Sequence, residues 1–223
     1  LEKFSMKNEL LKRILTTIFL LPILFYSMVY SGSYLVVLLI LFYFLSMYEI
    51  IKNTKNILFI FFASILLILS FYSFYFLRGD TQYSLIILFW ILTSTFLSDI
   101  GGYIFGKIFK GKKLTKISPN KTYSGAIGSI ILSCSSLLLI NSLQVFFLNK
   151  LLINFLELNF LFFTILISFV CQLGDLFASF LKRKINIKNI SNILPGHGGI
   201  LDRIDGLIFV LIFCFLLKLF TLI

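Results

Sequence analysis

Carboxylate and cationic side chains gather in one stretch of this chain, residues 171–206. In a sequence that is 59% hydrophobic, this stretch contains three of the nine acidic residues, five of the 20 basic residues and the only histidine. Asp175 lies late in one apolar run, and Asp202 and Asp205 open the next. Charged groups beside an apolar segment cost free energy unless they are paired or bind a ligand. The stretch therefore predicts a site for a polyanion and its metal ions.

Four aspartates are candidate metal ligands: Asp99, Asp175, Asp202 and Asp205. The last two are three residues apart, which places both on one face of a helix. Oxygen ligands of this kind suit Mg²⁺, which binds one or two carboxylates together with substrate phosphates. The alternative is that the aspartates cap helices or form ion pairs. The available cations for such pairs are Lys182, Arg183 and Arg203.

Two loops are candidate phosphate sites. In the turn at 195–199, Gly198 and Gly199 allow backbone N–H groups to approach a phosphate just ahead of a helix N-terminus. His197 in the same turn is a phosphate donor, a general base or a loop hydrogen-bonding residue, and the sequence leaves the three open. In the second loop a proline-containing turn supplies hydroxyl and ammonium groups. Its candidate phosphate ligands are Ser118, Lys121 and Thr122.

Composition defines the class of protein. A mean hydropathy of +1.03 with 13% charged residues predicts an all-α polytopic membrane protein. The net charge of +11 is explained by loops beside anionic lipid or by a phosphate-bearing substrate, so no nucleic-acid partner is expected.

The three cysteines are interpreted as packing residues, and the aromatic residues, Trp90 included, as mostly lipid-facing residues. Gly101, Gly102, Gly125 and Gly128 predict close helix contact.

A bilayer core needs about 20 apolar residues per helix. Seven runs meet this need, and the prediction is seven to nine transmembrane helices. The candidate spans are residues 14–30, 34–51, 57–77, 83–105, 125–148, 159–181 and 204–222. The segment from Lys150 to Glu157 is a candidate for a short interfacial helix. We expect one integral membrane domain over 1–223.

The basic residues predict the orientation. With a cytoplasmic N-terminus, 17 Lys and Arg residues lie inside and three lie outside, at Arg78, Lys150 and Lys218. The four aspartates then converge on the cytoplasmic side. We therefore expect an integral membrane protein with its site facing the cytoplasm.

The 27 residues from Ser179 to Asp205 resemble the signature of the phosphatidate cytidylyltransferase (CDP-diacylglycerol synthase) family, with the internal spacing intact. Upstream, Gln172-Leu-Gly-Asp175 and the blocks at 98–107 and 118–122 resemble further parts of that family. The resemblance covers residues 95–210. The N-terminal third matches only in being hydrophobic and helical.

The resemblance implies transfer of a cytidylyl group from CTP to phosphatidic acid, giving CDP-diacylglycerol and pyrophosphate, with Mg²⁺ required and a second cation allowed. It implies metal binding by Asp175, Asp202 and Asp205, with Asp99 a weaker candidate ligand. His197 with Gly198 and Gly199 would shape the nucleotide pocket. Phosphates would be bound by the 118–122 loop together with Lys182, Arg183, Lys188 and Arg203. The family is often dimeric, so the resemblance suggests a homodimer. The residues themselves do not indicate the oligomeric state.

The sequence departs from the family pattern at several positions. Asn189 replaces an Asp, Ala178 replaces a Glu, and Tyr123-Ser124 replaces Trp-Glu. Because of Asn189, an inactive assembly subunit stays open as a second reading. A related enzyme acting on another lipid phosphate or polyprenol also stays open, as does a transporter. The transporter would distribute its charges through the membrane, whereas these cluster on one side.

Overall fold

The structure is a computed structural model that describes residue 18 and residues 20–115, 118, 121–184 and 199–220. Within these residues the chain is all-helical, apart from one isolated bridge between Lys113 and Thr122. The helices are α1 (Leu20–Tyr30), α2 (Gly32–Asn53), α3 (Ile57–Arg78), α4 (Gln82–Phe109), α5 (Tyr123–Leu148), α6 (Leu158–Lys184) and α7 (Leu201–Leu219).

Five of these helices, α2 to α6, are long and apolar enough to cross a membrane. The chain is therefore an all-α polytopic membrane protein, as the composition predicts. The helix α7 is different because its 19 residues include Asp202, Arg203, Asp205 and Lys218. The described part of α1 is shorter than a bilayer span.

Side chains just outside the helices determine where several of them begin. Asn56, Thr81 and Thr122 each accept a hydrogen bond from a backbone N–H in the first turn of α3, α4 and α5. These side chains satisfy N–H groups that have no partner inside the helix. The ends of α4 and α5 are set by Lys110 and Asn149, which adopt the left-handed conformation.

The segment from Lys150 to Glu157 was a candidate for a short interfacial helix. The structure shows instead a loop that precedes α6. Amide side chains of α5 take up the backbone groups that a helix would use. The Gln144 carbonyl accepts from the N–H groups of Leu152 and Ile153, and the Asn141 carbonyl accepts from the N–H of Phe155. The loop is thus held by its contacts with α5.

Trp90 is not lipid-facing. It is fully buried, and its indole N–H donates to Thr164 Oγ1 at 3.0 Å, which joins α4 to α6. Its ring packs against Phe155 and Phe160. The interpretation as lipid-facing bulk is therefore wrong for this residue, although many of the other aromatic side chains are exposed.

Two of the three basic residues expected outside neutralise helix C-termini at one end of the bundle. The buried Arg78 guanidinium donates to the carbonyls of Met28 and Val29 in the last turn of α1. The Lys218 ammonium donates to the carbonyls of Phe76 and Leu77 in the last turn of α3. Cations are favourable at helix C-termini because the helix dipole is negative there.

The contact between α4 and α5 depends on glycine, as the sequence predicts. A Cβ atom at Gly101 would collide with the backbone carbonyl of Gly128, and one at Gly125 would lie 2.8 Å from the Gly102 carbonyl oxygen. The two backbones therefore approach more closely than any larger residue allows. This contact places the C-terminal half of α4, which carries Asp99, beside the start of α5.

Candidate active site

One cavity of about 720 Å³ lies where α4, α5, α6 and α7 meet. All four predicted aspartates line it: Asp99, Asp175, Asp202 and Asp205. Lys121, Thr122 and Arg203 add basic and hydroxyl groups to the same wall. The structure thus brings carboxylates from three helices and cations from two segments to one cavity, of a size typical for small-molecule sites.

Hydroxyl pairs between helices hold this arrangement in register. Ser98 Oγ lies 2.8 Å from Ser168 Oγ, and both side chains are fully buried. Because Ser98 directly precedes Asp99, this bond fixes the end of α4 against α6. One turn earlier, Ser94 Oγ lies 2.8 Å from Ser136 Oγ of α5. Buried hydroxyls of this kind are satisfied only when the helices keep this spacing.

The first group of charged residues surrounds Asp175. The Lys121 ammonium lies 2.9 Å from Asp175 Oδ2, which joins the loop before α5 to α6. The Cys171 thiol donates to Asp99 Oδ1 at 3.3 Å. Ligand atoms of Asp99, Cys171 and Asp175 all lie within 4.8 Å of one another, so these residues could hold a cation. A hard cation such as Mg²⁺ would bind the carboxylate oxygens rather than the thiol.

The second group is centred on Lys182. Its ammonium lies 2.7 Å from Asp202 Oδ1 and 3.0 Å from Asp205 Oδ2. The Lys182 side chain is 13% exposed and that of Asp202 17%, so the pair is largely shielded from solvent. Removing one member of a shielded ion pair is costly because it leaves the other charge without compensation. Lys182 therefore ties the end of α6 to the beginning of α7.

Gly206 allows the two groups to meet. A Cβ atom at this position would lie 2.5 Å from Asp175 Oδ1 and 2.8 Å from Cys171 Sγ. The α7 backbone can therefore pass directly beside the Asp175 carboxylate only because residue 206 has no side chain. This approach brings Asp205 next to Asp175.

The other predicted site residues have different positions. Arg183 is at the end of α6 and does not line the cavity, and neither does Ser118. Gly199 is buried and lies two residues before the start of α7. Lys188, His197 and Gly198 lie outside the described residues, as does Asn189, and their predicted roles stay predictions.

Thr122 has a structural role in addition to the predicted contact with phosphate. Its Oγ1 accepts from the N–H of Gly125 at 3.1 Å and so caps α5. A capping hydroxyl can still donate its own proton, and Thr122 lines the cavity. The two roles are therefore compatible.

Sequence reasoning missed three neighbours of the site. Cys171 is fully buried, as expected of a packing residue, but its thiol also contacts Asp99. Gln172 lines the cavity, and its amide donates to the Ala126 carbonyl at 3.3 Å. Glu49 of α2 accepts hydrogen bonds from the backbone at the start of α7. Gln172 could have been predicted because it lies three residues before Asp175. No feature of the sequence around Glu49 indicates its contact with α7.

The fold and the site define a polytopic membrane protein with a cavity lined by carboxylates and cations between its helices. The chain belongs to the cytidylyltransferase family, whose model matches residues 52–220. The chain is similar to curated proteins named phosphatidate cytidylyltransferase. That of Bacillus subtilis (strain 168) is 40% identical over 177 residues, which are 77% of this chain and 63% of the relative.

Two further relatives carry the same name. The Staphylococcus haemolyticus (strain JCSC1435) protein is 41% identical over 144 residues, covering 64% of this chain and 52% of the relative. The Helicobacter pylori (strain ATCC 700392 / 26695) protein is 40% identical over 121 residues, covering 54% of this chain and 42% of the relative. The chain thus spans between 42% and 63% of the length of these three relatives.

Proposed function

We propose that this protein transfers a cytidylyl group from CTP to phosphatidic acid, giving CDP-diacylglycerol and pyrophosphate for phospholipid synthesis. The observation that carries this proposal is the cavity in which four aspartates face Lys121 and Arg203. Both substrates are polyanions, and a mixed wall of cations and carboxylates suits phosphate groups that arrive with a divalent cation. The names of the similar proteins support the same reaction.

The walls of the cavity suit a lipid substrate. Phe96, Ile100 and Tyr103 of α4 line it and are 52%, 47% and 68% exposed. A phosphate group beside Lys121 could therefore be joined to acyl chains that extend along the apolar surface of α4. A purely aqueous substrate would gain nothing from these exposed apolar side chains.

In the proposed reaction, a phosphate oxygen of phosphatidate attacks the α-phosphorus of CTP. The new bond joins that oxygen to the α-phosphorus, and the bond from the α-phosphorus to the bridging oxygen breaks, with pyrophosphate as the leaving group. The attacking oxygen is already anionic, so no general base is needed. Lys121, Arg203 and the Thr122 hydroxyl would orient the phosphates and stabilise the charge that moves to pyrophosphate.

The aspartates fit a divalent cation. Asp99 and Asp175 would hold it through their oxygens, and Asp202 and Asp205 line the same cavity. Mg²⁺, when bound, would neutralise phosphate charge and polarise the phosphorus for attack. Lys182 lies against both Asp202 and Asp205, so its proposed phosphate contact requires it to leave or share these carboxylates. A second cation is part of this proposal.

We also propose that His197 has a chemical role. Further phosphate ligands in this proposal are Ser118, Arg183, Lys188, Gly198 and Gly199. We further propose that residues 95–210 are the catalytic part and that residues 1–90 are mainly scaffold. The protein would act in a bacterial-type inner membrane, and a homodimer is the proposed assembly.

We also propose seven to nine spans with a cytoplasmic N-terminus. In this orientation the cavity would lie on the cytoplasmic side, where CTP is found. The distribution of 17 basic residues against three supports this orientation. The contacts of Arg78 and Lys218 with the C-termini of α1 and α3 put both cations at the same end of the bundle, as this orientation requires. Accessibility of single cysteines introduced at Lys55 and Lys150 to an impermeant reagent tests it, because the two are expected on opposite sides.

The reaction is tested by purifying the full chain in detergent and supplying CTP, phosphatidate and Mg²⁺. We expect CDP-diacylglycerol and pyrophosphate in equal amounts. Parallel reactions contain a polyprenyl phosphate or an ether-lipid phosphate instead of phosphatidate. Consumption of one of these lipids with phosphatidate unchanged would contradict the substrate assignment, and no turnover of CTP with any lipid would contradict the activity.

A further inference from the structure

We propose that Glu49 is a positioning residue for the site, holding the first turn of α7, and with it Asp202 and Asp205, in place from helix α2. This proposal rests on the proposed function and adds to it a residue that precedes the family-matched segment 52–220. Glu49 is not proposed to touch a substrate.

The carboxylate of Glu49 binds two backbone groups that are distant in sequence. Oε1 accepts from the N–H of Ile200 at 2.9 Å, and Oε2 accepts from the N–H of Leu201 at 3.1 Å. The residues are separated by 151 and 152 positions. Glu49 is fully buried, so these bonds form in a region shielded from solvent. Each oxygen of the carboxylate thus has its own backbone donor.

The start of α7 needs an external acceptor. The residue before the helix is Ile200, whose side chain cannot accept a hydrogen bond and therefore forms no cap. The first N–H groups of a helix have no partner inside it. A carboxylate near this end is also favoured by the helix dipole, which is positive there. Among the described residues, Glu49 of α2 therefore supplies the cap that Ile200 cannot provide.

The capped turn is the one that carries the site residues. Asp202 directly follows Leu201, and Asp205 lies about one turn later. Ile200 and Leu201 are 3% and 7% exposed, and Leu201 packs in one cluster with Ile50 and Leu67. The first turn of α7 is therefore fixed to α2 and α3 on one side, while Lys182 of α6 holds its aspartates on the other.

Loss of the Glu49 contacts would release one of these two attachments. The aspartates would still be paired with Lys182, but the helix end that carries them could shift. Misplacement by about 1 Å of groups that act on phosphate can reduce the rate about 100-fold. Because Glu49 does not line the cavity, the Michaelis constants for substrates should change little.

The test compares Glu49→Gln and Glu49→Ala with the matched control Ser46→Ala, all in the full chain. Ser46 lies on α2 three residues before Glu49 and is fully buried, and its hydroxyl has no hydrogen-bond partner within the described part of the chain. It therefore controls for a change in the buried interior of α2. Glutamine keeps the shape and one acceptor oxygen, whereas alanine removes both.

Two quantities are measured on the monodisperse, folded fraction of each variant. The first is kcat and KM for CTP and phosphatidate, per folded molecule. We expect kcat to fall about tenfold for Glu49→Gln and about 100-fold for Glu49→Ala, with each KM within about twofold of wild type and Ser46→Ala unchanged. The second is amide hydrogen exchange in the peptide that begins at Gly199, which should be protected in wild type and accelerated in both Glu49 variants.

A wild-type kcat in folded Glu49→Gln would overturn the proposal, because a purely structural role lowers the yield of folded protein without changing its turnover. If Glu49→Gln does not fold, Glu49→Asp replaces it, since its shorter side chain keeps the charge but withdraws from α7. A wild-type kcat in that variant would equally overturn the proposal. If wild type itself makes no CDP-diacylglycerol, the proposed function fails, while the exchange measurement still shows whether Glu49 holds α7.

Discussion

Lys121 Nζ lies 2.9 Å from Asp175 Oδ2, so a cation of the loop before α5 is paired with a carboxylate of α6 at the wall of the cavity. The two side chains are 28% and 22% exposed, which leaves both accessible to a ligand. A phosphate that binds Lys121 would compete with Asp175, and a cation that binds Asp175 would compete with Lys121. In the proposed reaction the two side chains would separate, with Lys121 binding a phosphate and Asp175 binding a divalent cation.

The first prediction concerns Lys121. Lys121→Gln removes the ammonium group but keeps a polar side chain, and kcat/KM should fall about 100-fold, the usual cost of one donor that stabilises developing charge. Steady-state kinetics with varied CTP check this. The control is Lys112→Gln, an exposed side chain in the same loop, which should stay within about twofold of wild type. Equal effects of the two substitutions would contradict a specific role for Lys121.

The second prediction concerns the Lys182 pair. Lys182→Met leaves Asp202 and Asp205 without their shared cation, and the free energy of unfolding should fall by about 1.5–3 kcal/mol, the usual loss for hydrogen bonds to a charged group. Thermal unfolding in detergent measures this. Lys184→Met, at the exposed end of the same helix, should change the transition temperature little. If both variants unfold at the wild-type temperature, Lys182 does not hold α6 to α7.

The third prediction concerns Gly206. Gly206→Ala adds a methyl group 2.5 Å from Asp175 Oδ1, so the Asp175 carboxylate must rotate away or α6 and α7 must separate. Either change disturbs the site, and activity should fall at least about tenfold. In the control Gly111→Ala the nearest atom is Ser124 Oγ at 2.9 Å, a hydroxyl that can rotate away. We expect that variant to keep most of its activity. A fully active Gly206→Ala variant would show that the close approach is not required for turnover.

The fourth prediction concerns the metal. Chelation of divalent cations should abolish activity, and Mg²⁺ should restore it. Asp175→Asn should raise the Mg²⁺ concentration needed for half-maximal activity, and Asp202→Asn should abolish turnover with near-normal expression. Cys171→Ser should keep the wild-type Mg²⁺ requirement, because a thiol is a poor ligand for this ion. Binding of Mn²⁺, followed by its paramagnetic resonance signal, provides a readout that does not depend on turnover.

The sequence by itself determined the class of protein and the four aspartates that line the cavity. In a membrane the backbone N–H and C=O groups of a long apolar run find their hydrogen-bond partners within a helix. The helices α2 to α6 were therefore predictable from length and composition. The four aspartates were predictable because a carboxylate beside an apolar run is costly without a partner. The glycines of α4 and α5 were predictable because small residues mark close helix contacts.

Only the tertiary structure decided how these residues are partnered. The separation of the aspartates into one group around Lys121 and another around Lys182 depends on which helices are neighbours. The cap that Glu49 provides for α7 connects residues about 150 positions apart, and no local pattern encodes it. The loop before α6 and the burial of Trp90 follow from side chains that meet only when the helices pack. Sequence patterns describe what each segment needs, and packing decides which neighbour supplies it.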